Sequence, residues 1–154
     1  MSGVLIRTAV PADIEGLADL CFALWPESPR AEHRQELEGI LAGRNPSTLP
    51  LLHFVAEAPD GRLVGFLEAG LRSHADCCDV ARPVGYIEGW YVEEGWRRQG
   101  VGGLLVAAAE EWARGQGCRE MASDSLMENA LSEQAHRGLG YEVVGRSVLY
   151  RKGL

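Results

Sequence analysis

Residues 86–112, YIEGWYVEEGWRRQGVGGLLVAAAEEW, decide the fold of this chain. The apolar run that ends in Tyr91-Val92 predicts a strand. After Gly102 a helix is predicted, because apolar residues recur at helical spacing, namely at Val101, Leu104, Leu105, Ala108 and Trp112. The glycines before this helix lie at its N-terminus, where N–H groups without a partner meet the positive end of the helix dipole. Such a turn can cradle a phosphate when no side chain blocks it.

The loop of this segment consists of Arg97, Arg98, Gln99, Gly100, Val101, Gly102 and Gly103. Its arginines carry planar donors that suit phosphate oxygens, and its glycines leave room for a ligand close to the backbone. The dinucleotide-binding pattern is not met, because Leu105 stands where the third glycine would be. The Walker loop is not met either, because no Gly-Lys-Ser/Thr follows. A glycine-rich turn with solvated arginines is the alternative interpretation.

Length and composition indicate one globular domain spanning residues 1–154. The chain has 154 residues, of which 46% are apolar and 24% charged, as in ordinary soluble proteins. No window is apolar enough to span a bilayer, so we expect no membrane partner. The segment Met1–Val4 lacks the basic and apolar regions of a signal peptide, which predicts a cytoplasmic protein.

The net charge and the spacing of the cysteines and histidines argue against several classes of function. The net charge of −7 argues against nucleic acid as a partner and favours a cationic one. The cysteines show no Cys-x-x-Cys spacing, which predicts reduced thiols (Cys21, Cys77, Cys78 and Cys118). The histidines are scattered, so we expect no metal site (His33, His53, His74 and His136).

The remaining patterns predict an alternation of strands and helices. In chain order they indicate a strand over 4–9, helices over 14–25 and 31–42, a hairpin of strands 51–58 and 63–71, a loop over 73–82, a strand over 84–92, the helix after Gly102, a short strand over 120–123, a helix over 129–139 and one or two strands within 141–152. Asp124 follows the short strand, and Glu88 lies within the strand before the loop.

The pattern Arg97-x-x-Gly100-x-Gly102 after Tyr91-Val92 resembles the acyl-CoA pyrophosphate loop of the GCN5-related N-acetyltransferases. The element order of the whole chain is similar to that of the same fold. This resemblance implies an α/β (α+β) fold with a central, mixed, mostly antiparallel sheet flanked by helices. It also implies that the strand before the loop and the strand that ends at Asp124 splay apart, and that the wedge between them admits the thioester arm of acetyl-CoA.

Several local stretches narrow the resemblance. They are similar to the aminoglycoside 6′-N-acetyltransferases of the short chromosomal type, at residues 23–26, 67–72, 87–92, 121–124, 128–129 and 136–141. This implies acetyl-CoA as co-substrate, an aminoglycoside antibiotic as acceptor and a role in antibiotic resistance. It also implies a homodimer, in which the segment 141–152 offers strands that pair or swap across a two-fold axis.

The resemblance also implies site residues. Trp25, Glu88 and Asp124 would contact the antibiotic, and acetyl-CoA would be held by the loop 97–103, by Asn129 and by the backbone of Trp90, Tyr91 and Val92. His74 is a further candidate for substrate binding, since it stands beside Ala75 where relatives carry a substrate-binding aromatic residue. Because relatives also carry a late glutamate where this chain has Gly145, we expect a wider and less acidic pocket.

The chemistry of the acceptor gives the two acids a role. An aminoglycoside is a polycation, so its pocket needs carboxylates that bind an ammonium and, through water, accept its proton. Glu88 and Asp124 are predicted to be these catalytic groups, and exposed acids at strand ends are the alternative. For Trp25, packing in the core is the alternative to ligand contact.

His136 stands at the helix position that many members of the superfamily fill with a tyrosine acid. A histidine titrates near neutral pH and could protonate the departing thiolate, or it could contact the cofactor or serve packing. A backbone N–H near Trp90 to Val92 would stabilise the developing oxyanion.

Two rival functions remain at this point. The same fold and cofactor could serve a polyamine, another small amine or a protein N-terminus as acceptor. The domain could also be a non-catalytic acyl-CoA-binding module, against which the complete loop and the acids Glu88 and Asp124 argue.

Overall fold

The structure is a computed structural model that describes residues 3–45 and 47–154. Met1 and Ser2, which belong to the segment used in the signal-peptide argument, lie outside the described residues. The elements in chain order are β1 (Leu5–Thr8), a 3₁₀ turn (Pro11–Asp13), α1 (Ile14–Leu24), α2 (Arg30–Leu41), β2 (Leu51–Glu57), β3 (Leu63–Arg72), β4 (Val84–Val92), a 3₁₀ turn (Glu94–Trp96), α3 (Val101–Gly115), β5 (Met121–Ser123) and α4 (Ala130–Gly138).

The sheet has the strand order β1-β2-β3-β4-β5. Its first four strands are antiparallel neighbours, and β5 joins β4 in parallel. The mixed, mostly antiparallel sheet is therefore confirmed. The pairing of β4 with β5 runs only from Gly85 to Ile87, whereas β4 continues to Val92. β5 ends with Ser123, opposite Ile87, so the rest of β4 has no β5 residue beside it, which agrees with the predicted wedge.

Helices cover both faces of the sheet and produce two cores. On one face α1 and α2 contribute Leu17 and Leu37, which pack against Phe66 of β3. On the other face α3 contributes Val101 and Leu105 to a second cluster. Burial of these apolar side chains is the main force that holds the helices on the sheet. No helix in the described part of the chain is long and apolar enough to cross a membrane.

The prediction of one or two strands within 141–152 is wrong for the single chain. Residues 141–154 form neither helix nor strand. Val148, Leu149 and Tyr150 are largely exposed, the last two at 92%. A strand needs a partner for its backbone N–H and C=O groups. Within the described residues this segment pairs with no strand. It therefore does not form a strand, although its composition favours one.

Candidate active site

The N-terminus of α3 forms one side of a cleft of about 410 Å³. Gly100 precedes the helix with a left-handed φ of 82°, a conformation that favours glycine. The N–H groups of the first helical turn have no partner within the helix, so they are available to an anion. The lining residues of the cleft come from β4, the loop, α3 and α4 (Trp90, Arg98, Gly100, Gly102, Gly103, Leu131, Gln134, Ala135, Gly138 and Leu139).

The predicted loop residues divide into two groups. Arg98 and three glycines line the cleft. Arg97 instead donates from Nε to the carbonyl of Val92 at 2.7 Å, and Gln99 donates to the carbonyl of Gly95 at 2.9 Å. These two side chains brace the loop against its own backbone. Arg98 and the amides of the first helical turn are therefore the groups available to an anion in this cleft, which agrees with the predicted phosphate-binding loop.

Trp90 contributes its side chain as well as its backbone to this cleft. A Cβ on Gly102 would lie only 3.0 Å from the indole Cζ2, so the ring packs directly under the loop. The indole also meets the ring of His136 edge to face, with centroids 5.2 Å apart. Its Nε1 is buried and has no hydrogen-bond partner among residues 3–45 and 47–154. From the sequence, only a backbone role was predicted for Trp90. The packing of its ring against Gly102 is a tertiary contact, which periodicity does not show.

Glu88 is the extra residue of a β-bulge. In the pairing of β3 with β4, Glu68 lies opposite Gly89 and Ala69 lies opposite Ile87, which leaves Glu88 without a partner. Bulges re-aim side chains and are frequent beside active sites. The Glu88 carboxylate accepts two hydrogen bonds from Arg72, from Nε at 2.9 Å and from a terminal nitrogen at 2.7 Å. This hydrogen bonding raises the pKa of Arg72.

Asp124 lies directly after β5, at the mouth of the wedge. Its Oδ2 accepts a hydrogen bond of 2.5 Å from the hydroxyl of Tyr86. Burial of this tyrosine and its bond to Asp124 raise the pKa of Tyr86. The guanidinium of Arg72 lies over the Tyr86 ring, 3.4 Å from its centroid. Arg72 and Tyr86 thus join the two predicted acids, Glu88 and Asp124, in one network.

Trp25 lies at the end of α1 and packs on the bulge of β4. A Cβ on Gly89 would lie 2.3 Å from the Trp25 ring, so only glycine permits this contact. The ring also meets Phe66 edge to face, with centroids 5.9 Å apart. The carbonyl of Trp25 is 3.0 Å from Nε2 of His33. Trp25 is thus half-buried and packs on the core beside Gly89, the chain neighbour of Glu88, and its role toward the antibiotic stays a prediction.

His136 of α4 is held by hydrogen bonds at both ring nitrogens. Nδ1 is 2.7 Å from the carbonyl of Ser132, which can only accept, so Nδ1 carries a proton. Nε2 is 2.8 Å from the hydroxyl of Ser123, the last residue of β5. In the neutral ring Nε2 therefore accepts from Ser123. No sequence pattern singles out Ser123, because it meets His136 only in the folded chain, where α4 brings the histidine to it.

Two predicted residues lie outside these networks. His74 is exposed in the loop after β3, and its ring is 3.4 Å from the hydroxyl of Ser73. Asn129 caps α4, since its Oδ1 accepts from the backbone N–H of Ser132 at 3.0 Å. Their roles toward substrate and cofactor stay predictions. Among the residues that the structure describes, no group of His, Cys, Asp and Glu is arranged to hold a metal ion.

Known proteins are similar to this chain in sequence. The model of the Acetyltransferase (GNAT) family matches residues 13–141. Aminoglycoside N(6′)-acetyltransferase type 1 of Klebsiella aerogenes is 39% identical over 153 residues, which cover 99% of each chain. The protein of that name from Stenotrophomonas maltophilia is 40% identical over 153 residues, or 99% of this chain and 95% of that protein.

Solved structures are similar over the same length. AAC(6′)-Iy in complex with the bisubstrate analogue CoA-S-monomethyl-acetylneamine has a TM-score of 0.88 at 36% identity, covering 99% of this chain and 100% of that chain. AAC(6′)-Iy in complex with CoA has a TM-score of 0.88 at 37% identity, covering 99% of this chain and 96% of that chain.

Proposed function

Because the chain belongs to the acetyltransferase (GNAT) family, we propose that it transfers the acetyl group of acetyl-CoA to the 6′-amino group of aminoglycosides. It is an acetyl-CoA-dependent N-acetyltransferase. The observation that carries the choice of acceptor is the 39% identity over the whole chain with an aminoglycoside N(6′)-acetyltransferase. The joined carboxylates of Glu88 and Asp124, next to the wedge, suit a polycationic acceptor.

The acceptor binds through charge. An aminoglycoside brings several ammonium groups, and the pocket offers the carboxylates of Glu88 and Asp124. Charge-assisted hydrogen bonds to such groups are about twice as strong as neutral ones. The indole of Trp25 offers a flat apolar surface beside them for a sugar ring. Glu88 and Asp124 orient the amine and, through water, accept the proton that it must lose before it attacks.

Acetyl-CoA supplies the thioester that the amine attacks. Arg98 and the helix amides from Val101 to Gly103 hold its pyrophosphate, which leaves the acyl end at the wedge. Backbone N–H groups of β4 beyond Ile87 no longer have β5 as a partner. One of these near Trp90 to Val92 stabilises the negative charge that develops on the carbonyl oxygen. Positioning of the two reactants supplies much of the rate.

In this proposal His136 and Ser123, whose side chains are 2.8 Å apart, return a proton to the departing thiolate. When the imidazole is protonated on both nitrogens, Nε2 donates to the oxygen of Ser123, and Ser123 can pass its own proton to sulfur. A His136→Asn variant is expected to lower kcat, because the relay that returns a proton to the sulfur is lost. An unchanged kcat in a folded variant would favour a packing role instead.

An acceptor screen tests the proposed function. The assay measures release of the CoA thiol with kanamycin-class acceptors that carry a 6′-amine, with matched analogues that carry a 6′-hydroxyl, and with polyamines. We expect saturable turnover only with the 6′-amines. Saturation by polyamines alone would move the acceptor to another class, and acetyl-CoA binding without transfer to any amine would make the domain a binding module.

The assembly is proposed to be a homodimer. The support is the segment 142–154, whose apolar side chains are exposed in the single chain, as at Val144 (60%) and Leu149 (92%). The backbone N–H and C=O groups of such an exposed, strand-prone segment gain hydrogen-bond partners when it pairs with a second copy.

A role in antibiotic resistance and a cytoplasmic location complete the proposal. Acetylation converts the amine into a neutral amide, which removes a positive charge from the drug and with it the hydrogen bonds that depend on that charge. Expression in a sensitive bacterial host tests both claims. We expect higher inhibitory concentrations for drugs with a 6′-amine, no change for their 6′-hydroxyl analogues, and the protein in the cytoplasmic fraction.

A further inference from the structure

Tyr86 is a buried tyrosine whose polar end meets a predicted substrate residue. It lies on β4, and only 6% of its surface is exposed. Its hydroxyl donates to Oδ2 of Asp124 at 2.5 Å. The sequence pattern assigned Tyr86 to the strand alone, and the function proposed above uses none of its chemistry.

The ring of Tyr86 is fixed from its other side. Arg72 stacks on it at 3.4 Å from the ring centroid and is itself held by both oxygens of Glu88. A cation over an aromatic face is attractive, and the bidentate pair prevents the guanidinium from moving away. The hydroxyl therefore has a defined position relative to the sheet.

Asp124 lacks such support of its own. It is exposed and follows the last residue of β5, where the strand has ended. A carboxylate in such a position can occupy several rotamers. The bond from Tyr86 occupies Oδ2 and leaves Oδ1 for another donor. Because burial and Asp124 itself raise the pKa of Tyr86, the hydroxyl keeps its proton and remains a donor at neutral pH.

We propose that Tyr86 is a positioning residue that holds Asp124 in the orientation in which Oδ1 receives the ammonium of the acceptor. This inference rests on the proposed function, in which Asp124 binds the acceptor amine. It makes Tyr86 part of acceptor recognition, although the tyrosine acts through Asp124 and is not expected to contact the antibiotic.

The test is a double-mutant cycle between Tyr86→Phe and Asp124→Ala. Phenylalanine keeps the buried ring under Arg72 and removes only the hydroxyl. We expect Tyr86→Phe to lower kcat/KM for a 6′-amino aminoglycoside by about ten- to thirty-fold, the lower part of the range for one hydrogen bond to a charged group. KM for acetyl-CoA stays unchanged. In the Asp124→Ala background the same substitution has no further effect, because the carboxylate that it orients is gone.

Tyr141→Phe is the matched control. Tyr141 is a second part-buried tyrosine, and its hydroxyl donates to Glu110 of α3 at 2.8 Å. We expect Tyr141→Phe to lower the melting temperature about as much as Tyr86→Phe does. Its kcat/KM for the acceptor should equal that of the wild type. A merely structural Tyr86 would behave like this control.

The outcomes separate the two proposals. Wild-type acceptor constants in a folded Tyr86→Phe enzyme, or a full Tyr86→Phe effect that persists in the Asp124→Ala background, would overturn the positioning role. A wild-type enzyme that acetylates no 6′-amine would instead overturn the proposed function, and this is seen before any variant is made.

Discussion

At the scale of single residues, the proposed function predicts that acceptor binding depends on the negative charge of Asp124. The residue is exposed beside the wedge, and its contact with Tyr86 uses only one of its two oxygens. An exposed acid with this geometry contributes little to folding. Its charge is therefore available for a cationic ligand.

Replacing Asp124 by asparagine tests this charge with little change of shape. The amide oxygen can still accept from Tyr86, but the attraction to an ammonium is lost. We expect kcat/KM for aminoglycosides to fall by about 1.5 to 3 kcal/mol of transition-state stabilisation, or roughly ten- to a hundred-and-fifty-fold. Steady-state kinetics with a fixed, saturating concentration of acetyl-CoA measures the change.

Asp60→Asn is the control for this prediction. Asp60 lies in the turn between β2 and β3, where its side chain accepts from the backbone N–H of Arg62 at 3.0 Å, and asparagine can do the same. Its kinetics should match the wild type. Wild-type kinetics in the Asp124→Asn enzyme too, or its failure to fold, would indicate that Asp124 is structural and that Glu88 alone recognises the acceptor.

The sequence identifies individual acids better than it identifies their partners. Glu88 and Asp124 could be proposed because each stands at a strand position that the fold brings to the wedge. Arg72 and Tyr86 could not, because their roles arise from a stacking contact between neighbouring strands. Gly89 was also missed, since its function is to leave space for Trp25, which no local pattern shows.

At the scale of elements, the proposed cofactor site is the N-terminus of α3. The left-handed Gly100 immediately precedes the helix, and Gly102 and Gly103 of its first turn line the cleft. Gly103 lines the same cleft, and a Cβ there would meet Leu139 at an ordinary distance of 3.4 Å. A side chain at this position therefore alters the cleft without disturbing the helix.

Gly103→Asp should raise KM for acetyl-CoA by about ten-fold or more, because it places a negative charge where the pyrophosphate binds. Folding should be maintained, since an acid in the first turn of a helix interacts favourably with the helix dipole. Kinetics with varied acetyl-CoA, together with thermal unfolding, measures both effects.

Gly95→Asp adds the same charge in the preceding 3₁₀ turn, where a Cβ meets nothing within 4 Å. Its acetyl-CoA constants should stay within about two-fold of the wild type. If Gly103→Asp also left them unchanged, the glycine loop would not be the pyrophosphate site.

The connection from β1 to α1 depends on a buried acid. Asp13 is 7% exposed, accepts from Arg7 at 2.7 and 2.8 Å and accepts from the N–H of Val10 at 2.8 Å. The hydrogen bonds from Arg7 are the main cause that lowers the pKa of Asp13. This stabilisation is present at neutral pH, above the unfolded-state pKa. It is lost as the pH falls through the lower, folded-state pKa.

Asp13→Asn should therefore destabilise the protein by about 2 to 4 kcal/mol at neutral pH, with a weaker dependence of stability on pH below about 4 than in the wild type. Urea unfolding at several pH values measures the change. The exposed Asp19, paired with Arg30, is the control, and Asp19→Asn should have little effect. Equal losses in the two variants would contradict the importance of burial.

Patterns in the sequence predict the type of each element better than its partners. Strand and helix periodicity gives β1 to β5 and α1 to α4 with small errors at their ends. Within α3 the apolar repeat assigns Leu104 to the core, although it is 46% exposed, because the repeat is wider than the face that the sheet covers. The segment 141–152 has strand composition, but composition cannot supply a partner strand.

At the scale of the whole molecule, the exposed segment 142–154 predicts association. Light scattering at micromolar protein should give a dimer. Leu149, 92% exposed in the single chain, should be buried in it. Leu149→Asp should therefore shift the dimer toward monomer and leave a folded core. A monomeric wild type, or a variant that dimerises as well as the wild type, would contradict this assembly.

The central claim is acetylation at the 6′-amine, and the structure of the reaction product tests it most directly. Purified enzyme, acetyl-CoA and an aminoglycoside with several amines are allowed to react to completion, and the product is analysed by mass spectrometry and two-dimensional NMR. We expect a single added acetyl group, with an amide proton coupled to the 6′-methylene. Acetylation at another amine, a mixture of positions or an unmodified antibiotic would contradict it.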